Sequence, residues 1–191
     1  MIGNLIRQKM DGYLRQAKLY GDWRRVWSKH VWWTREVIIA IANKLPSTDT
    51  SVNKLLQNPI EMGQIFGEFY GDRTVAHIEQ LFTQHLKTGG DIVTAARDGD
   101  TAQVTALTRQ WYQNADAIAN FLAKANPFYD EATVRSMMHE HLSLTIQEAN
   151  AYLQGRYNDS INTFDRIQAE AEQMGDYFAQ GLISQFPEKF R

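Results

Sequence analysis

The chain has 191 residues, 43% of them hydrophobic and 22% charged, with a formal net charge of −2. That supplies apolar material for a buried core and no basic excess for a nucleic-acid partner. The absence of cysteine excludes thiolate metal sites, iron–sulfur clusters, disulfides and cysteine nucleophiles.

The N-terminal stretch MIGNLIRQKMDGYLRQ lacks the continuous apolar core of a secretory signal. Its pattern predicts a helix over 2–19, polar on most of its surface and peripheral to the rest. A second helix is predicted over 22–45, ended by Pro46. It carries Arg24, Arg25, Lys29 and Arg35 between Trp23, Trp27, Trp32 and Trp33, the pattern of an amphipathic core helix with a solvated face. Its apolar run VIIAIA at 37–42 is far short of the about 20 residues that cross a bilayer. A cytoplasmic protein with no membrane partner is therefore expected.

The next helix spans 50–70 and restarts at Asn58–Pro59, where Asn58 reads as the N-cap and Glu61 as the capping-box residue. Helices follow over 73–97, 101–125, 131–153 and 159–185. Asp72, Asp100 and Asp130 mark starts, with Gln103 three residues after Asp100, and Asn158 or Asp159 is placed to cap the last helix. Gly71, Gly99, Pro127, Gly155 and Pro187 mark the breaks. Strand signals are absent. The connections are short, so successive helices are expected to be antiparallel neighbours. The expected fold is all-α: an up-and-down antiparallel bundle of six or seven helices. Residues 1–21 form a peripheral helix and 22–191 one domain. A homodimer through a helix face is a further expectation.

The six later helices read as three pseudo-repeated hairpins. The first helix of each carries one histidine in an apolar setting: WSKHVWWT around His30, FTQHLKTG around His85, MMHEHLSLT around His141. A bulky apolar residue lies three before each histidine, at Trp27, Phe82 and Met138. Counting 31 residues forward reaches Glu61, Asp116 and Glu172. Asp116 and Asp176 each lie eleven residues before a proline, which favours Asp176 as the third carboxylate. His85 is 14 residues before Gly99 and Asp116 is 17 after it, so the two should sit within about one turn in height across neighbouring helices.

Imidazole and carboxylate are ligands for Fe, Mn or Zn. The candidate ligands are His30, His85, His141, Asp116, Asp176 and Glu61. His77 lies on roughly the face of His85 and is a possible extension of the site. His139, two residues from His141, should point away from it. No Glu is followed three residues later by His, and no two histidines are four apart. A ferritin-like di-iron motif is thus missing, and single ligands from several helices, as in DinB-type three-histidine bundles, fit better. The two glycines of TGGD at 88–91 are read as allowing close helix approach. No nucleotide-binding loop and no nucleophile elbow is present.

The strings WSKHVWWTR, LLQNP, FYGD, RQWYQNAD, EHLSLT and QFPEKF resemble a family of bacterial helical-bundle proteins of about this length. The resemblance runs from about residue 23 to the end. It implies a helical bundle and no particular activity. It marks His30, Thr34, Arg35, His85, Trp111, Asn114, Asp116, His141 and Thr145 as motif positions. Three functions remain: a divalent-metal bundle with an interior His–carboxylate cluster, a metal-free ligand-binding or interaction bundle whose His–Asp pairs are structural, or an acid–base enzyme using His–Asp pairs without metal. Whether the chain is an enzyme stays open.

Overall fold

The computed structural model describes residues 2–191, with side chains from Ile6 onward. It holds seven α-helices and no strand among the described residues: α1 Ile2–Ala42, α2 Thr48–Leu55, α3 Asn58–Gly67, α4 Asp72–Asp98, α5 Thr101–Ala125, α6 Glu131–Leu153 and α7 Tyr157–Gln185. A 3₁₀ turn, Pro187–Phe190, ends the chain. α1 packs on α7 and also meets α2, α3 and α4; α4 packs on α5, α5 on α6 and α6 on α7. The bundle is therefore closed around α1. No described helix is long and apolar enough to cross a membrane.

One expected break is absent. The predicted helices at 2–19 and 22–45 are a single helix, about 60 Å long at the standard rise. Gly21 is exposed inside it and costs about 1 kcal/mol against alanine. The buried stripe Leu19, Trp23, Val26, Trp27 and Val31 carries the helix through that position. The expected break at Pro46 holds: Lys44 adopts a left-handed φ of 52°, and the Leu45 amide closes on the Ala40 carbonyl.

The caps divide in the same way. The Asp100 carboxylate accepts from the Gln103 amide, and Asp130 accepts from the Thr133 amide. Asn58, Asp72, Asn158 and Asp159 are not side-chain caps; their helices start on Gln57, Gly71 and Arg156 with no side-chain cap bond. Asn58 is instead buried, and its amide is used elsewhere.

The core has two parts. The larger is built on Trp23, Trp27, Phe66, Phe82 and Phe178. The smaller gathers Val37, Ile38, Leu55, Leu86, Val93 and Ala149 near the C-terminal end of α1. The three interior histidines lie between them.

Two glycine substitutions should move stability in opposite directions. A Cβ on Gly181 would lie 1.9 Å from Tyr129, a buried ring whose hydroxyl is bonded to the Phe178 carbonyl at 2.7 Å. Gly181→Ala should lose about 1–3 kcal/mol by overpacking. A Cβ on Gly21 meets nothing within 4 Å, so Gly21→Ala should gain about 0.5–1 kcal/mol of helix stability. Urea-unfolding midpoints of the two variants check both signs.

Candidate functional site

His30 on α1, His85 on α4 and His141 on α6 are 2%, 1% and 2% exposed. The sequence brings them together because each occupies the apolar stripe of the first helix of its hairpin. Trp27, Phe82 and Met138, one turn below each histidine, are all buried and form the floor. The ring centroids of His30 and His141 are 5.4 Å apart, and those of His30 and His85 are 6.4 Å apart. Interplanar angles of 50° and 34° accompany them. Trp27 packs edge-on against both His30 and His141.

Each ring is held by one acceptor from the second half of its own hairpin. His30 Nδ1 lies 3.0 Å from Asn58 Oδ1, His85 Nδ1 3.0 Å from Asn114 Oδ1, and His141 Nδ1 2.9 Å from Glu170 Oε2. The two asparagines are themselves fixed. Asn58 Nδ2 donates to the Val26 carbonyl and Asn114 Nδ2 to the Leu81 carbonyl; each carbonyl is four residues before the histidine concerned. With the amide nitrogen committed as donor, Oδ1 is the acceptor. Nδ1 must then carry the proton, and Nε2 is a bare lone pair. The Glu170 carboxylate accepts in the same way from His141 Nδ1. No described side chain donates to any of the three Nε2 atoms.

The three rings line one cavity of ≈ 40 Å³ together with Thr34, Thr145, Trp111 and apolar side chains. That is room for an ion and a few waters. Thr34 and Thr145 each donate their hydroxyl to the carbonyl of the histidine four residues before them, at 2.8 Å. The corresponding position in α4 is Gly89. There the Trp111 indole N–H takes the His85 carbonyl at 2.9 Å. A Cβ on Gly89 would lie 3.1 Å from the indole ring, which accounts for that glycine as a close helix approach.

Burial sets the electrostatics. Desolvation first, then the neighbouring His141 and His85, hold His30 well below the ordinary histidine range against the opposing Asn58 bond. Burial and His141 push His85 down to about 3. Burial thus keeps the His30 and His85 imidazoles neutral. Alongside it, Arg35 of α1 is paired with the buried Glu148 of α6 and donates to Ser160 at 3.1 Å. Burial raises the Glu148 carboxyl, and the Arg35 hydrogen bond and charge work against that rise.

The predicted carboxylates do not join the histidines. Asp116 lies on the surface between His139 Nε2 at 2.8 Å and Arg135 Nε at 3.2 Å. Asp176 forms a two-point pair with Arg24, and Glu61 is paired with Lys29 at 3.0 Å. Glu172 is exposed beside Gln168. His77 is exposed, its ring tilted against Phe121 at 4.5 Å, so it extends nothing. His139 does turn away from His141. The partner spacing is 28 or 29 residues, reaching Asn58, Asn114 and Glu170, in place of the expected 31. The signal in the sequence is amide chemistry: asparagine serves a neutral imidazole as well as a carboxylate does.

Among the described residues, no three or more His, Cys, Asp or Glu side chains stand ready as a group to hold a metal ion. No family model matches this chain, and neither the curated proteins nor the solved structures provide a match.

The depressed His85 value carries a pH signature. The unfolded imidazole titrates near its ordinary 6.5, the folded one near 3. Its contribution to stability is complete above the first value and is lost as pH falls toward the second, because the unfolded chain binds the proton and the folded one does not. The urea midpoint of metal-free protein should therefore drop between about pH 7 and about pH 5, and His85→Gln should flatten that drop. A midpoint unchanged over the range would contradict this.

Proposed function

We propose that the protein is a divalent-metal-binding bundle whose ligands are Nε2 of His30, His85 and His141. The observation that carries this reading is the shared tautomer. Three acceptors, each from the second half of its hairpin, take Nδ1–H and leave three lone-pair nitrogens on rings that line one cavity. A purely structural imidazole gains by pairing both nitrogens with protein groups. Here all three Nε2 atoms lack a protein donor, and a cation satisfies them together. Asn58, Asn114 and Glu170 are the kind of outer partners that orient metal-bound histidines.

The loss of Asp116, Asp176 and Glu61 from the ligand set changes the preferred ion. Of Fe, Mn and Zn, manganese favours carboxylate and water, whereas three neutral imidazoles suit zinc best and ferrous iron next. Tetrahedral zinc with Zn–N about 2.0–2.1 Å needs imidazole centroids about 5 Å apart. His30 and His141, at 5.4 Å, are close to that spacing, and His85, at 6.4 Å from His30, must move inward by about 1 Å. A metal-free structural bundle is the second reading. Its support is that no group of three or more His, Cys, Asp or Glu side chains stands ready for a metal ion among the described residues.

Elemental analysis after zinc reconstitution and gel filtration separates the two. Near-stoichiometric zinc is expected in the wild type and in Asp116→Ala, and loss of zinc in His85→Gln. Asn114→Leu, which removes only the acceptor, should weaken zinc binding about 10–100-fold. Folded wild type without zinc, or loss of zinc in Asp116→Ala, would overturn the assignment.

A further inference from the structure

The first turns of α1 carry a second apolar stripe, turned away from the bundle. Ile6, Met10, Tyr13 and Leu14 are between 59% and 70% exposed, a contiguous surface of the kind that marks an interaction site. Their spacing, with Ala17 three residues further on, puts all five on one face of a helix of 3.6 residues per turn. Gly12 and Leu19, the buried residues of the same stretch, lie on the opposite face. That reverse face is held by the 3₁₀ turn and Arg191. A Cβ on Gly12 would collide with the Phe190 carbonyl, and Arg15 donates to the Arg191 carbonyl. The outer stripe is thus presented on a helix already formed and pinned from behind.

The charges bordering the stripe have one sign. Residues 6–18 hold Arg7, Lys9, Arg15 and Lys18 against Asp11, a net +3, whereas the whole chain is −2. Lys9 borders the stripe on the Tyr13 side, and Arg7 and Lys18 border it on the Leu14 side. A second copy of the chain is a poor occupant. Pairing the stripe with itself sets these basic borders against each other. Four such side chains also offer on the order of 500 Å² per copy, below the roughly 800 Å² per partner of a standard interface. A groove on an acidic protein would have to clasp the helix from its flanks, and its reverse side is already taken. A plane of negative charge over an apolar layer needs only the one free face.

We propose that this face of α1 docks on an anionic lipid bilayer. The helix lies in the plane of the interface, with Ile6, Met10 and Leu14 among the acyl chains and Tyr13 at headgroup level. Arg7, Lys9 and Lys18 reach to the lipid phosphates on their long stems. Such a helix needs no spanning length, so the lack of a spanning helix among the described residues does not bear on it. The surface is separate from the histidine cavity and independent of the metal reading.

The test is co-sedimentation of the full chain with sucrose-loaded vesicles, either phosphatidylcholine alone or with about a third phosphatidylserine. Wild type should sediment with the acidic vesicles and stay in solution with the neutral ones, and about 1 M salt should release it. Arg7→Gln and Lys9→Gln should each weaken binding about fivefold. The charge-neutral pair Met10→Gln and Leu14→Gln should weaken it at least about tenfold. Ile161→Gln, on an exposed apolar residue of α7, should leave it unchanged. All variants should keep the wild-type melting temperature, since every altered side chain is exposed. Wild type that ignores acidic vesicles, binds neutral ones equally, or binds undiminished without Met10 and Leu14 would overturn the proposal. So would a wild-type dimer, seen by light scattering, that the Met10 and Leu14 changes make monomeric, because the stripe would then belong to a second copy.

Discussion

Three hydrogen bonds, from the Nδ1–H groups of His30, His85 and His141 to Asn58, Asn114 and Glu170, set the register of the bundle and the chemistry of its interior. Each bond crosses from the first half of a hairpin to the second. Each fails if its helices slide by one turn, about 5.4 Å. Asn58 and Asn114 add a second tie, to the Val26 and Leu81 carbonyls. A buried polar group without a partner costs about 1–3 kcal/mol, so three such networks at mid-height penalise every alternative alignment of the apolar stripes. Apolar packing alone discriminates less, because a helical stripe nearly repeats after each turn.

The same bonds explain why this interior is polar at all. Imidazoles held neutral by burial can have lone pairs facing inward without the penalty of a buried charge. The floor of Trp27, Phe82 and Met138 and the lower core around Phe66 and Phe178 exclude water from below. Above lies the smaller apolar cluster. The Arg35–Glu148 pair with Ser160 locks α1, α6 and α7 beside the site.

Much of this was legible in the residues. The restart at Asn58–Pro59 and the breaks at Gly71, Gly99, Pro127 and Gly155 fall between helices, while the helices expected over 2–19 and 22–45 are one, and the spacing of His30, His85 and His141 marks them as one set. Gly21 misleads because local propensity argues for a break, while the stripe from Leu19 to Val31 outweighs it through tertiary contacts. The carboxylates mislead for a different reason. Asp116, mid-helix and poor in helix propensity, invites a buried role, yet Arg135 and His139 supply its charge partners at the surface. Asn58 has the position of an N-cap beside a proline, and its side chain turns inward only because His30 stands across from it. Helical pattern reports which face a residue is on to within about one turn; it does not report which of two polar residues on that face meets a given imidazole.

The central claim is that all three interior histidines donate through Nδ1 and keep Nε2 for a common cavity. Long-range ¹⁵N–¹H correlation spectra of the histidine side chains, taken on metal-free protein near neutral pH, test it most directly. The account predicts three slowly exchanging rings with protonated Nδ1 and unprotonated Nε2, and a shift of all three Nε2 signals together when zinc is added. Rings with Nε2–H, or a zinc response confined to one of them, would contradict it.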